Sequence, residues 1–345
     1  MTSDTLPVRA GEELDWLRLE NWLKANVEDL EGPMLVSQFH GGHANLTYCL
    51  AFGEVEVVVR RQPFGKIAPG AHDMKREYRA LSGIHPEFDR APRAYAYCED
   101  ETVIGAPFIV MERRQGIVVR KDIPAEFENL TDIEDRVSFA LVDAMAEFHA
   151  LIPEEIGLDK LGRPEGFVGR QLKGWYDRWQ RVVNHKHADF ESAHKALVES
   201  EPKTLRYTLV HNDLKLDNCM FESSNPDRVA TILDWDMTTL GDPLIELGTL
   251  LSYWQQVDDD ADRSPTIDLD MAKFPSRDKL VTRYENHGAD VSDIDWYEAF
   301  GLWKQAVVLQ QLYRRFENGE TKDERFKNFP AYIPGMLSAV KALLR

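Results

Sequence analysis

The feature that most constrains the fold is a series of β-like segments confined to the first third of the chain. Three of them, Met34–Phe39, Leu46–Phe52 and Val55–Arg61, are rich in β-branched and aromatic residues. The Gly53-Glu54 pair between the last two is short enough for a hairpin turn. Apolar residues recur at helical spacing in residues 12–30, ahead of these segments. The sequence therefore predicts an amphipathic helix followed by an antiparallel meander.

The pattern changes after about residue 112. Long apolar periodicities of helical spacing follow, and only two short β-like runs interrupt them, Leu205–Val210 and Val229–Leu233. Strands first and helices afterwards are typical of an α+β protein. We predict two lobes: a small antiparallel-sheet lobe in residues 1–112 and a larger, mainly helical lobe in residues 113–345.

Composition and charge exclude several function classes. The 345 residues include 41 Lys and Arg against 59 Asp and Glu, a net charge of -18 at pH 7, which repels nucleic acid and anionic membranes. The three cysteines lack the spacing of a disulfide framework or a zinc site. Neither a signal-peptide pattern nor a long apolar run occurs, so we expect a cytoplasmic chain without a membrane span. The sequence does not predict an oligomeric state.

An acidic stretch, Asp258–Asp270, interrupts the helical patterns of the second lobe. It contains Pro265, and its charges show no helical periodicity. Charge runs of this kind usually face solvent. We predict a solvated loop between helices.

The most informative motif is His211-Asn212-Asp213-Leu214-Lys215-Leu216-Asp217-Asn218, which follows the first short β-like run. The second short run ends in Asp234-Trp235-Asp236. Phosphoryl transfer from ATP needs a carboxylate beside the acceptor hydroxyl and oxygen ligands for magnesium. Asp213 suits the first role, and Asn218 with Asp234 suits the second. A purely structural alternative stays open: Asp213 and Asn218 cap a helix, and Asp234 and Asp236 are turn residues.

The chain resembles the aminoglycoside phosphotransferase superfamily, which has a protein-kinase-like fold. Within it the chain is most similar to the phosphotransferase-like domains that occur alone in bacteria or fused to acyl-CoA dehydrogenases. The segments that carry the resemblance are Phe39-His40-Gly41-Gly42-His43-Ala44-Asn45-Leu46-Thr47-Tyr48, Val59-Arg60-Arg61-Gln62-Pro63, His72-Asp73-Met74-Lys75-Arg76-Glu77-Tyr78, the Asp213 loop, Leu233-Asp234-Trp235-Asp236 and Gly241-Asp242-Pro243-Leu244.

The resemblance implies a set of nucleotide-binding residues. Gly41 and Gly42 would let a hairpin loop approach the ATP phosphates, with Asn45 retained although Ala44 replaces a common serine. Arg60 occupies the position of a phosphate-binding lysine, and Glu77, in a helical pattern over His72–Ser82, is its expected partner. Arg61 is the adjacent alternative on the other face of the strand. Met111, at the end of the strand-like connector Pro107–Met111, would bind adenine through its backbone.

The resemblance also implies roles around the motif. Lys215 would meet the γ-phosphate as charge moves during transfer. Asp236 would assist Asn218 and Asp234 in holding magnesium. His211 would hold the loop and not act as a base, and Asp242 would cap the helix that opens at Pro243.

These residues together predict an ATP- and Mg²⁺-dependent kinase that phosphorylates the hydroxyl of a small molecule. The resemblance suggests a hydroxyacyl-CoA as acceptor, and an aminoglycoside, amino alcohol or sugar is the alternative. An alternative from another class is a nucleotide-binding pseudokinase. Its only support is that Ala44 and Arg60 depart from the residues common in the family. The sequence does not distinguish ATP from GTP. A dinucleotide-dependent oxidoreductase is excluded because the required glycine-rich turn is missing.

Overall fold

The computed structural model describes residues 4–39, 45–65, 73–184, 186–260, 262–263 and 265–345. The chain forms two compact units. The first comprises Met1–Gly116, Glu154–Leu161 and Ala230–Thr238, and the second comprises Ile117–Pro153, Gly162–Val229 and Thr239–Arg345. The predicted division had a single boundary after residue 112, whereas here two later segments pack with the first unit.

The first unit is built on a six-stranded antiparallel sheet in the order β1-β2-β3-β4-β6-β5. Its elements, in chain order, are β1 (Thr5–Leu6), α1 (Trp16–Asn26), β2 (Met34–Phe39), β3 (Leu46–Phe52), β4 (Val55–Arg61), α2 (Met74–Ile84), β5 (Ala94–Cys98) and β6 (Phe108–Glu112).

Strands β2, β3 and β4 have the predicted bounds. Tyr48, Leu50 and Phe52 of β3 are buried with Leu19 and Leu23 of α1 in one apolar core. Gly53 makes the β3–β4 turn with φ 61°, a left-handed conformation that glycine adopts without strain. The predicted meander and its preceding helix are thus confirmed.

The second unit is mainly helical. Its elements are β7 (Ile117–Val118), α3 (Ile133–Ala150), α4 (Phe167–Val182), α5 (Ala188–Glu199), β8 (Thr208–Val210), β9 (Cys219–Glu222), β10 (Asn225–Ile232), β11 (Thr239–Gly241), α6 (Pro243–Ser252), α7 (Arg277–Glu285), α8 (Ile294–Glu317) and α9 (Ile333–Leu343). The last residues of β10 belong to the first unit. The α+β fold class is confirmed.

Helix α8 is the centre of the second unit, and α6 packs closely against it. Trp303 and Phe300 of α8 lie in the main apolar core with Trp179 of α4. At Gly248 of α6 an added Cβ would overlap the backbone of Tyr297, so only glycine allows this approach. No helix in the described ranges is long and apolar enough to cross a membrane.

The acidic stretch Asp258–Asp270 is a loop between α6 and α7, as predicted, and most of its described residues are exposed, but the expectation that its charges all face solvent is wrong. Arg263 is buried, and its guanidinium pairs with Asp259 at 3.0 Å and with Glu298 of α8. Arg277 also pairs with Asp259, at 2.7 Å. A buried charge is tolerated only when it is paired, so these ion pairs fix the loop against α7 and α8.

Candidate active site

Arg60 gathers three carboxylates in the first unit. From β4 its guanidinium donates to Glu77 Oε1 of α2 at 2.9 Å and to Asp234 Oδ1 at 2.5 Å. Asp236 Oδ2 lies 3.7 Å from the same Nη2. Only 11% of the Arg60 side chain and 1% of the Glu77 side chain are exposed. The structure therefore places Arg60 against Glu77, as the resemblance implied, and adds both acidic residues of the Asp234-Trp235-Asp236 motif.

This cluster, Arg60 with Glu77, Asp234 and Asp236, has more negative than positive charge. Burial raises the pKa of Glu77 against the pull of Arg60, and Asp236 and Asp234 raise it further. Burial acts to lower the pKa of Arg60, but the three carboxylates outweigh it and hold that pKa above its usual value. Within these four side chains three carboxylates face one guanidinium, so a divalent cation beside Asp234 and Asp236 would be stabilised.

The backbone at Asp234 is in an unusual conformation. Strand β10 ends at Ile232, and Asp234 follows with φ 67° and ψ 61°, in the left-handed region. A 3-10 turn begins at the next residue, Trp235, whose buried indole N–H donates to the Ile232 carbonyl at 2.8 Å. Non-glycine residues in this region are strained and concentrate at functional sites. The anchored Trp235 thus holds Asp234 toward Arg60 and Asp236.

The other predicted nucleotide-binding residues have different outcomes. Gly41 and Gly42 lie outside the described residues. Asn45 donates to Asp236 Oδ2 at 3.5 Å. Arg61 points away from the cluster and donates to the Ile104 carbonyl at 2.7 Å. Of the two arginines, Arg60 is therefore the one beside the carboxylates.

Met111 lies within β6, in register with Val58 of β4 on one side and Ala94 of β5 on the other. Glu112 closes the strand, and its N–H donates to the Arg93 carbonyl at 2.8 Å. The predicted strand is thus present, but it is an inner strand of the sheet and not an open connector. The contact of Met111 with adenine stays a prediction.

The Asp213 loop forms the second cluster, in the second unit. Asn218 donates through Nδ2 to the backbone carbonyl and to Oδ2 of Asp213, both at 2.8 Å. The ammonium of Lys215 lies 3.3 Å from Asp213 Oδ1 and 3.8 Å from Asp217 Oδ2. Burial acts to lower the pKa of Lys215, but Asp213 and Asp217 outweigh it and raise that pKa, which keeps the ammonium charged. Both oxygens of a partly exposed carboxylate are therefore held in place.

Glu246 of α6 fixes the backbone just before Asp213. Its buried carboxylate accepts from the N–H groups of His211, at 3.1 Å, and Asn212, at 2.7 Å. His149 Nε2 lies 2.8 Å from Oε2, and its Nδ1 lies 2.7 Å from the hydroxyl of Tyr284. Burial opposes ionisation, but these contacts hold the pKa of Glu246 below its usual value. His211 is thus structural, as predicted, and so is Asp242, which caps α6 at Leu244 N; His149 is structural as well.

We expect Glu246→Ala to lower the free energy of unfolding by about 3 to 5 kcal/mol, because it leaves two backbone N–H groups and His149 without their buried acceptor. Chemical denaturation would measure the loss. Glu285→Ala removes an exposed carboxylate from α7 and is the control, expected to change stability by less than about 0.5 kcal/mol. Equal stability of the two variants would contradict the assigned role of Glu246.

Lys304 of α8 is a residue that the sequence analysis missed. Its ammonium lies 5.4 Å from the ring centroid of Trp175, and Arg178 Cζ lies 4.3 Å from the same ring. Burial lowers the pKa of Lys304, while the charge of Asp213 acts in the opposite direction. Lys304 makes no ion pair with another described residue. A lysine in the middle of a long helical pattern gives no sequence signal for this position.

A cavity of about 190 Å³ is lined in part by Lys215. Lys215 and Asp217 form part of its wall, and Arg120 and Lys121 also line it. The cavity lies within the second unit. The Asp213 loop therefore borders a space in which a small molecule can bind.

These two clusters fit a known family. The model of the phosphotransferase enzyme family APH matches residues 36–274, which include both clusters. This chain belongs to the APH phosphotransferase family. The family assignment confirms the resemblance seen in the motifs.

Relatives and solved structures agree with membership of the APH family. Acyl-CoA dehydrogenase family member 11 from Mus musculus is 29% identical over 336 residues, which cover 94% of this chain and 42% of that protein. The chain therefore spans less than half of this relative. A putative aminoglycoside phosphotransferase from Ralstonia eutropha has 26% identity and a TM-score of 0.80, covering 96% of this chain and 98% of that one.

A more distant structure shares the APH fold. It is a thermostable mutant of aminoglycoside phosphotransferase APH(4)-Ia, solved as a ternary complex with AMP-PNP and hygromycin B. It has 16% identity and a TM-score of 0.57, covering 95% of this chain and 98% of that one. This likeness supports the kinase-like architecture of both units.

The donor chemistry of this APH chain fits magnesium. Carboxylate and amide oxygens are hard ligands, and Mg²⁺ usually takes only one or two carboxylates because phosphates and water complete its shell. Among the described residues no group of three or more His, Cys, Asp or Glu side chains is placed to hold a metal ion by itself. Asn218 uses Nδ2 in both bonds to Asp213, so Oδ1 is the atom that could bind a cation.

Proposed function

We propose that this chain is an ATP-dependent kinase that transfers the γ-phosphoryl group to the hydroxyl of a small molecule. The observation that carries the proposal is the Asp213 carboxylate, which is held by Asn218 on one oxygen and by Lys215 on the other. A fixed, partly exposed carboxylate of this kind is what proton removal from an acceptor hydroxyl requires. Family membership supports the same reaction class.

In this mechanism Asp213 orients the acceptor hydroxyl and takes its proton. The acceptor oxygen forms a bond to the γ-phosphorus as the bond from that phosphorus to the β,γ-bridging oxygen breaks, and ADP leaves with the electron pair. Lys215 is close enough to Asp213 to offset the negative charge that develops on the transferred group. Glu246 acts through the backbone of His211 and Asn212 and is a positioning residue.

On the nucleotide side, Arg60 would contact the ATP phosphates. Glu77 of α2 accepts a hydrogen bond from its guanidinium and holds it in place. Asn218, Asp234 and Asp236 are the proposed magnesium ligands, and the ion would neutralise phosphate charge when bound. The proximity of Asp234 and Asp236 to each other beside Arg60 supports this assignment. The loop that contains Gly41, Gly42 and Asn45 is proposed to contact the ATP phosphates. The backbone of Met111 is proposed to bind adenine.

For the acceptor we propose a hydroxyacyl-CoA. The sequence contains three basic pairs that are candidates for binding the phosphates of CoA, which are Arg113-Arg114, Arg120-Lys121 and Arg314-Arg315. Arg113 pairs with Asp4 at 2.7 Å, Arg114 donates to the Asp89 carbonyl at 2.7 Å, and Arg314 donates to the Val182 carbonyl at 2.9 Å. The remaining pair, Arg120 and Lys121, lines the cavity; Lys121 lies 3.9 Å from Asp268, and Arg120 makes no ion pair within the described part of the chain. This supports Arg120-Lys121 as the anion-binding pair.

We expect added salt to raise the KM for a hydroxyacyl-CoA more than the KM for ATP, because exposed cations are screened over a Debye length of about 8 Å at physiological ionic strength. Arg120→Ala should raise the KM for the CoA ester roughly two- to fivefold. Steady-state kinetics at two salt concentrations would test both. Lys203→Ala, which removes an exposed lysine elsewhere in the second unit, is the matched control. Equal effects of the two variants would contradict the assignment.

One observation favours a second candidate, a pseudokinase that binds nucleotide without turnover. Arg60 contacts Asp234 directly, so a proposed metal ligand is already engaged by a cation. The test is ADP release from ATP and Mg²⁺ with hydroxyacyl-CoA, aminoglycoside and amino-alcohol acceptors. Release that depends on an acceptor supports the kinase and identifies the acceptor class. Nucleotide binding without release above background for any acceptor supports the pseudokinase.

A further inference from the structure

The cavity beside Lys215 has an apolar floor and a charged rim. At the rim, Arg120, Lys121, Thr266 and Asp268 are exposed. The floor consists of buried apolar side chains, each at most 6% exposed, which are Val119, Leu216, Leu250, Trp254 and Met271. The two parts differ sharply in polarity, so a ligand that fills the cavity must have a hydrocarbon end.

The polar atoms of Trp254 and Tyr253, near the floor, do not require a charged or strongly polar ligand. The indole N–H of Trp254 donates to the Pro275 carbonyl at 2.8 Å, so the ring presents carbon to the cavity. Burial raises the pKa of Tyr253 to about 12, which keeps its phenol neutral. A hydrocarbon group would thus gain the free energy of leaving water without leaving a buried charge unpaired.

Lys215 connects this cavity to the proposed base. It belongs to the cavity wall, and its ammonium lies 3.3 Å from Asp213 Oδ1. A molecule that enters past Arg120 and Lys121 would therefore have its middle beside Lys215 and its far end on the floor. The rim cations disfavour a polycationic ligand and favour one with an anionic portion outside the cavity.

We propose that the cavity binds the hydrocarbon tail of the acceptor, the part beyond the phosphorylated hydroxyl, and limits its length. This inference rests on the proposed kinase function. An apolar cavity of roughly 150 Å³ binds benzene, and the present one measures about 190 Å³. It has room for a tail of about six carbons.

The experiment uses a series of hydroxyacyl-CoAs with a fixed distance between thioester and hydroxyl, and with tails of about two, six and ten carbons. Each buried methylene contributes about a fourfold gain, so the four added methylenes should raise kcat/KM roughly 250-fold from the shortest to the middle tail, with no further gain for the longest. Binding of acyl-CoAs without the hydroxyl, followed by thermal shift, should show the same length dependence and needs no turnover.

Two variants test the position of the tail. Ile267→Trp places a large ring in the lining from a partly exposed loop position and should lower kcat/KM for the six-carbon tail at least tenfold, while the two-carbon tail changes by less than about twofold. Val257→Trp adds the same ring at a side chain that is 84% exposed and outside the lining, and should leave both unchanged.

The outcomes separate this inference from the proposed function. Length-dependent binding without phosphorylation would overturn the hydroxyacyl-CoA kinase reaction and keep the tail site. Phosphorylation with no dependence on tail length, or with equal loss in Ile267→Trp and Val257→Trp, would overturn the tail site and keep the kinase. Neither binding nor turnover of any member of the series would overturn both the hydroxyacyl-CoA acceptor and the tail site.

Discussion

Asp213→Asn should reduce phosphoryl transfer about a hundredfold to ten-thousandfold while leaving ATP binding nearly intact. The amide cannot accept the acceptor's proton, but it keeps the size of the side chain and can still bond to its neighbours. Single-turnover transfer and ATP binding by thermal shift would measure the two effects. Asp227→Asn, an exposed aspartate paired with Arg136, is the control and should keep full activity.

A near-normal rate in Asp213→Asn would remove Asp213 from the mechanism. A variant that loses ATP binding as well as transfer would instead indicate a disturbed loop. Glu246 makes this second outcome unexpected, because it holds the backbone of His211 and Asn212 independently of the Asp213 side chain.

Asp234→Ala should abolish the magnesium-dependent part of the stabilisation by ATP. With ligand at about a hundred times its dissociation constant, binding adds roughly 2.7 kcal/mol to the unfolding free energy of the wild type. The variant should still fold, because Arg60 keeps its buried contact with Glu77. Melting temperatures with ATP, with and without Mg²⁺, would measure the effect.

Glu54→Ala is the control for this experiment because it removes an exposed carboxylate from the β3–β4 turn of the same unit. It should show the wild-type shift. If Asp234→Ala also keeps the full magnesium-dependent shift, Asp234 is not a metal ligand.

Much of the fold was predictable because the decisive signals are local. Strands β2, β3 and β4 follow from their β-branched and aromatic residues and from the Gly53-Glu54 turn, and the N-cap of α6 follows from Asp242 before Pro243. The pairing of Arg60 with Glu77 came from the resemblance, since no local pattern joins β4 to α2.

The errors concern contacts between distant parts of the sequence. Arg263 looked solvated because its neighbours are acidic, but its partner Glu298 is 35 residues away in α8. Arg113 looked free for a ligand, yet it pairs with Asp4, 109 residues earlier. Lys304 shows no local signal, since its environment is created by Trp175 and by the packing of α4 on α8. Charge patterns along a sequence therefore predict exposure poorly once the chain has folded.

The most direct test of the central claim is transfer of labelled γ-phosphate from ATP to a hydroxyacyl-CoA in the presence of Mg²⁺, with the product identified by mass spectrometry. We predict a phosphorylated acyl-CoA that accumulates in step with ADP and is missing when Asp213→Asn replaces the wild type. An intact ATP-binding signal with no labelled product from the hydroxyacyl-CoA, aminoglycoside or amino-alcohol acceptors would contradict the kinase assignment.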